Sequence, residues 1–373
     1  MKLTADAGNA PKIQNDSANL QTIASTIPSI VFDVSGEINP INGNLTIGSN
    51  IILDNSGSLS IYGNNGKTLT FNGAINNGSG ASGHGVILKE NSIVIFNASN
   101  GYTGETDIDA GELRIGSGGA INSGSAIYLG NGGQLTTTAT LTLGASGGQT
   151  FANNFTVNTS SGGQYRNLAS SATSGNNNTF GGVITLNGDV NLVAQTAGGT
   201  NTFSGQFTST SSKVGNATGP GVVVLSGTAD NVNFGLNVTN GTVVLAKTSS
   251  SGVHAVGGWL TITNAGNVQL AGSGGDQIFD SSGVVINNGG TFALGGQTET
   301  VSGLTNNSGG TLMATGGVLL VTGTTVNAGL INIGTATTSG TLSNNNLFLT
   351  GSGVINFTNA SGNAVNTLLL RLA

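Results

Sequence analysis

Gly85 to Ile121 reads GVILKENSIVIFNASNGYTGETDIDAGELRIGSGGAI. Apolar and polar residues alternate around Val86 and Leu88, around Ile93 and Ile95, around Thr106 and Ile108, and around Leu113 and Ile115. Gly and Asn clusters lie between. Period-two alternation over such short runs, bounded by turn residues, predicts short β-strands joined by sharp corners. One unit of this size cannot bury its own apolar face, so it needs neighbours of the same kind to stack on.

The rest of the chain supplies them. From Ile30 onward short apolar segments recur, among them LTIG at Leu45, LTFNG at Leu69, VITLNG at Val183, VVVLSG at Val222, LNVTNGTVVLA at Leu236 and WLTITNAGNVQLAG at Trp259. Nearly all end in Gly, Asn-Gly or Gly-Gly, residues that accept the positive φ of a tight corner. Antiparallel sandwiches and a parallel β-helix both fit many short strands. The single Trp and the Val, Leu, Ile, Ala and Thr of the inward positions favour the narrow tube of a β-helix. Asn at recurring corners fits stacked rungs, where like side chains pair from one rung to the next. Rungs of ~20 to 25 residues at ~4.8 Å spacing predict about 15 rungs in a single elongated body ~70 Å long. The expected fold is therefore all-β, a parallel β-helix over 30–373. A cap segment precedes it over 1–29, and loop excursions interrupt it at 160–178 and 196–220, where Asn, Ser and Gly break the rhythm. Within the cap, Leu20, Ile23, Ala24 and Ile27 share one helical face, with Asp16 or Ser17 as N-cap and Pro28 as stop, which predicts a short helix over 15–30.

Composition narrows the function. The chain has 373 residues, of which 6% are charged, 64 Gly and no Cys, with 9 Lys and Arg against 15 Asp and Glu. Ordinary domains carry roughly 25% charge. Without Cys there are no disulfides, thiolate metal sites or Cys nucleophile. The net charge of −6 offers no basic surface for phosphates, which argues against nucleic acid as a partner.

The opening stretch also carries a family resemblance. Asn100, Tyr102, Thr103, Gly104, Thr106, Ile108, Gly111, Leu113, Ile115, Gly116, Gly119, Ala120 and Ile121 stand where the passenger-associated transport repeat, also called the autotransporter-associated β-strand repeat, places its pattern residues. Gly101, Glu112 and the carboxylates at Glu105, Asp107 and Asp109 depart from it. One full copy covers about a tenth of the chain, with weaker echoes at Gly221 to Lys247 and Gly309 to Gly334. The chain thus resembles secreted passenger domains of Gram-negative type V autotransporters. The resemblance implies a right-handed, pectin-lyase-like β-helix at the bacterial surface or outside the cell, exported with a signal peptide that this sequence does not show. It further implies a C-terminal translocator β-barrel in the full-length protein, absent here; separately, the apolar ending TLLLRLA, where a solenoid end needs a polar cap, leads us to expect chain beyond Ala373. The resemblance does not fix an activity. The leading expectation is a non-enzymatic stalk or adhesin whose partner is a host or bacterial surface receptor, a glycan or a second copy of itself. The alternatives are a β-helical polysaccharide hydrolase or lyase and an extracellular fibre subunit.

No residue set calls for a cofactor, and no catalytic residue is assigned. Glu105, Asp107 and Asp109 alternate with Thr106, Ile108 and Ala110, so period two places the three carboxylates on one strand face. They are candidates for a Ca²⁺ site or for acid/base chemistry on a polysaccharide. The competing reading is a solvated acidic stripe partnered by Arg114 and Lys89. Ala271 to Ile278, AGSGGDQI, nearly matches a Ca²⁺-binding nonapeptide and makes Asp276 a metal candidate, but that motif works in tandem and here stands once. His84 and His254 lack the paired spacing of a zinc site. Trp259, Tyr62, Tyr102, Tyr128 and Tyr165 would line a sugar-binding groove if they faced outward, although Tyr102, inside the repeat, reads as a structural corner residue.

Overall fold

Alternation decides which side chains point inward, and parallel pairing decides what they meet. The computed structural model describes residues 1–3, 10–63, 66–131, 137–144, 147–160, 164–171, 177–335, 338–357 and 367–370. Among them there is no helix, and the strands stack in parallel as a β-solenoid of about 14 turns. Contacts divide the chain into two units, Met1–Asn191 and Leu192–Ala373.

In the first unit Val86–Lys89, Thr106–Ile108, Ile127–Leu129, Phe155–Val157 and Ile184–Leu186 lie side by side in register. This aligns Leu88, Ile108, Leu129, Val157 and Leu186 in one inward column. A second wall aligns Leu45, Leu69, Val94, Leu113, Leu141 and Leu168. All of these are buried. Each such aliphatic side chain contributes about 1.5–3 kcal/mol by leaving water. The strand Ile93–Phe96 is phased opposite to the sequence expectation: Val94 and Phe96 face inward, while Ile93 and Ile95 are half-buried on the outside. Four consecutive apolar residues carry no alternation, and the register with Thr68–Phe71 settles the choice by seating Phe96 against Phe71 at 5.6 Å.

The second unit repeats the design. Val223, Val243, Val268, Phe292, Leu312 and Ile331 form one column. Leu236, Leu260, Val284 and Leu304 form another. Phe207 stacks on Phe234 with ring centroids 4.3 Å apart.

Two expectations are corrected. The helix predicted over 15–30 is absent: Gln21–Ile23 is a strand paired with Leu45–Ile47, and Leu20 and Ile27 are exposed. Asn15 takes the Ser17 N–H and itself donates to the carbonyls of Asn19 and Asn44, so turn bonding outcompetes a helical start. Lys2–Leu3 and Lys12–Gln14 of segment 1–29 lie in parallel against Ser29–Asn39. Neither polar tract leaves the stack where it is described. Arg166–Ser170 pairs with Ala139–Leu143, and 196–220 contains the strands Thr200–Phe203, Phe207–Thr208 and Lys213–Thr218. Residues 161–163 and 172–176 of the first tract lie outside the described residues. The misleading signal is buried Asn: Asn178 and Asn201 face inward although their types read as loop.

Buried Asn at the corners replaces backbone partners. Asn100 accepts the Ile75 N–H (2.8 Å) and donates to the carbonyls of Ala98 (3.0 Å) and Ala120 (2.9 Å), joining successive rungs. Asn100→Ala strips partners from three backbone groups and lowers unfolding free energy in urea by about 2–4 kcal/mol. Asn97→Ala, at an exposed amide, stays within about 0.5 kcal/mol. Equal losses at the two positions contradict this role for Asn100.

Candidate functional site

Thr106–Ile108 buries Thr106 and Ile108 and turns Asp107 outward, with Glu105 exposed one position before the strand. Glu105 and Asp107 border an open groove of about 420 Å³ whose walls include Ser58, Ile87, Thr103 and Ala126. Asp107 Oδ2 accepts a hydrogen bond from Asn131 Nδ2 at 3.2 Å. Burial pushes the Asp107 carboxyl up to about 6; the Asn131 bond opposes the rise, and the charges of Asp109 and Glu105 add to it. Burial first, then the charge and hydrogen bond of Glu105, hold the Tyr128 phenol above its ordinary value.

Asp109 does not share this face. The strand ends at Ile108, and the corner leading to Gly111 (φ +84°) turns Asp109 inward, where it is buried. Its charge supports Arg166, which is itself buried and donates to the carbonyls of Thr137 and Thr159. Period two fails here because it stops where the strand stops. The partners expected of the acidic stripe are also occupied elsewhere. Arg114 pairs with Glu112 at 2.8 Å, and the Lys89 ammonium lies 5.3 Å from the centre of the Tyr62 ring.

The repeat residues bind neighbouring rungs. Tyr102 is fully buried, with its hydroxyl 2.6 Å from Thr106 Oγ1 and its carbonyl accepting from Ser125 Oγ. Thr103 Oγ1 accepts from Asn77 Nδ2 (2.6 Å) and from the Gly83 N–H (3.0 Å). Gly104 lies against the backbone of Gly83 to Gly85, where a Cβ would come within 2.4 Å of the His84 carbonyl carbon. Leu113 and Ile115 fill the core, and the Gly116 N–H donates to the Phe96 carbonyl at 2.8 Å. His84 Nδ1 accepts the Gly57 N–H at 3.0 Å.

The second unit holds a polar cluster that residue-by-residue reading of the sequence does not connect. Asp230 Oδ1 accepts the His254 N–H (2.8 Å) and lies 3.1 Å from His254 Nδ1. His254 Nε2 is 3.9 Å from Asp276 Oδ2. Beside them, buried Gln277 bridges to Lys247 and Ser249. Glu299 accepts the N–H groups of Gln277 (2.9 Å) and Ile278 (3.3 Å). Burial raises Glu299 well above the carboxylate range against those bonds, and pushes Lys247 down to about 8 against the charge of Asp230. Asp230 and His254 are 24 residues apart, one rung, so the rung period was the signal that could have found the group. Trp259 is 62% exposed and lies over Gly283, where a Cβ would fall 2.4 Å from its ring. Phe279 and Val232 are also exposed. Among the described residues no three His, Asp or Glu side chains converge as a metal-binding group, and this includes Glu105, Asp107 and Asp109.

Because folding raises the Asp107 value, its ionised form opposes folding. That penalty is absent below the unfolded value and complete above about 6. Asp107→Asn therefore raises the melting temperature at about pH 8 and leaves it unchanged at about pH 3, read by calorimetry. A rise of equal size at both pH values assigns the effect to packing instead.

Comparison of the chain with family models, with curated proteins and with solved structures finds no match.

Proposed function

We propose that this chain is a non-enzymatic, surface-displayed β-solenoid of the autotransporter passenger kind, acting as a stalk that adheres or self-associates. One observation carries the reading: within each unit, neutral Asn side chains pair from one rung to the next. Asn97 donates to Asn72 (2.9 Å), Asn187 to Asn158 (2.9 Å), Asn237 to Asn216 (3.2 Å), Asn307 to Asn287 (2.7 Å) and Asn356 to Asn332 (3.1 Å). Each amide uses part of its hydrogen-bonding capacity on the next rung and keeps the remainder for a partner. The paired amides carry no charge, so amides of two copies can meet without repelling one another, and many weak bonds sum to avidity.

Beads coated with the chain clump when mixed. The combined substitutions Asn97→Lys, Asn187→Lys and Asn307→Lys abolish clumping at low salt, and added salt restores it as the charges are screened. Clumping that ignores these substitutions, or its absence in the native chain at every coating density, rejects the self-association arm of the proposal.

The groove at Glu105 and Asp107 favours a second reading, a glycan-active enzyme. A carboxyl held at about 6 suits a general acid near neutral pH, and the exposed Glu105 carboxylate stands two residues away, just before the strand. On this reading, cleavage of some acidic or neutral polysaccharide falls by a factor of about 10²–10⁴ in Asp107→Asn. Turnover that survives the substitution removes the site from consideration.

A further inference from the structure

We infer that Asn240 is a self-modifying site, at which the main-chain nitrogen of Gly241 converts the side-chain amide to a carboxylate while the chain stays folded. Asn-Gly steps recur along the chain, and once unfolded each offers the same two reacting groups. The fold decides which pair is left able to meet. At Asn72, Asn77, Asn100, Asn187 and Asn288 the N–H of the following Gly donates to a carbonyl of a neighbouring rung, those of Ile47, Leu53, Ile75, Val157 and Gly309 respectively. These nitrogens are committed to the stack. At Asn240 the pattern differs: the Gly241 N–H donates to the Oδ1 of Asn240 itself, at 2.8 Å.

That contact is close to the geometry of attack. A carbonyl bond is about 1.23 Å long, so the nitrogen lies within about 4 Å of Asn240 Cγ, near the ~3–3.5 Å at which reacting atoms are poised. Asn240 is exposed, and its Nδ2 donates to no group among the described residues, so the leaving nitrogen is not held in place. Asn100, in contrast, is buried and gives its Nδ2 to the carbonyls of Ala98 and Ala120. The register with Leu260–Leu270 shifts between Val238 and Asn240, which sets the step beside an irregular point of the ladder. Gly241 has φ +75°, and a Cβ there would fall 1.9 Å from the Gly219 carbonyl oxygen, so no side chain can stand at this position to shield the nitrogen.

The reaction needs water alone and no oxidant or reductant. The Gly241 nitrogen gives up its proton and bonds to Cγ; the Cγ–Nδ2 bond breaks, and the amide nitrogen takes up a proton and leaves as ammonia. A cyclic imide remains, which water opens. Cleavage of the ring bond at Cγ gives an ordinary aspartate linkage. Cleavage at the main-chain carbonyl carbon leaves the chain running through the former side chain, longer by one carbon. Either product adds a negative charge to a chain of net charge −6, and the longer one displaces the strand from its partners Ala265 and Gly266. The site is a slow clock that marks the age of a folded molecule.

The test incubates the whole chain in mildly alkaline buffer, folded and, in parallel, unfolded in urea, and follows each Asn by peptide mass spectrometry. Unfolded, the Asn-Gly steps should convert at comparable rates. Folded, Asn240 should convert about 10-fold or more ahead of Asn72, Asn77, Asn100, Asn187 and Asn288, because a displacement of about 1 Å between reacting groups can slow a reaction about 100-fold. Asn240→Gln, whose longer side chain carries the amide carbon away from the Gly241 nitrogen, should remove the first ammonia released by the folded chain and leave the other steps unchanged. The native chain alone decides the outcome if that variant folds poorly. An Asn240 that stays intact in the folded chain while the unfolded chain converts overturns the assignment. So does a folded chain in which any of the five other steps converts first or at the same rate.

Discussion

The structure depends on one constraint: no rung can bury its apolar face alone, so each must present the same inward positions at the same register as the rung before it. The column from Leu88 through Ile108, Leu129 and Val157 to Leu186 shows the constraint obeyed across five strands. Parallel pairing then fixes much else. Side chains of one type meet across rungs, corners stack on corners, and a one-residue slip would turn a whole strand inside out.

Corners are where that constraint is hardest to meet, because the backbone leaves the sheet there and loses its ladder partners. Side-chain amides repair the loss in a repeated way. Asn100 and Asn231 each accept an N–H of the preceding rung (from Ile75 and Phe207) and each donate to a carbonyl of the following one (Ala120 and Ala255). Asn153 donates to two carbonyls of the rung before it, those of Asn122 and Ser125. A short amide carries donor and acceptor together and so substitutes for a missing peptide group. Its abundance in this chain therefore has a structural origin as well as a surface one.

This explains how much the sequence could disclose. Strand and corner rhythm was legible because Val, Leu and Ile alternate against Gly and Asn, and the parallel solenoid followed from it. The tract 196–220 was misread because inward Asn201 resembles a loop residue until its partner, the Val193 carbonyl, is seen. The helix over 15–30 was misread because spacing alone ignores the strand partner at Leu45–Ile47. The outward turn of Glu105 and Asp107 was legible from period two, whereas the inward turn of Asp109 required knowing that the strand ends one residue earlier.

Chemistry in such a fold is assembled across rungs, so neighbours in space are a rung apart in sequence, 24 residues for Asp230 and His254. Motif spacings learned from single strands or helices cannot register this. The same geometry bears on the charge content. Arg166, Lys247, Glu299 and Asp109 are buried among 24 Lys, Arg, Asp and Glu residues in all, and Lys2 and Lys12 pair with Asp33 and Glu37 between neighbouring strands. Burying an ion is unfavourable unless partners surround it. Here the partners are carbonyls, N–H groups and opposite charges, several of them supplied by adjacent rungs. Several of the few charges thus act between rungs, and the flank is left to Asn, Thr and Ser. Cohesion of the stack thus rests on polar and charged side chains as well as on its apolar columns.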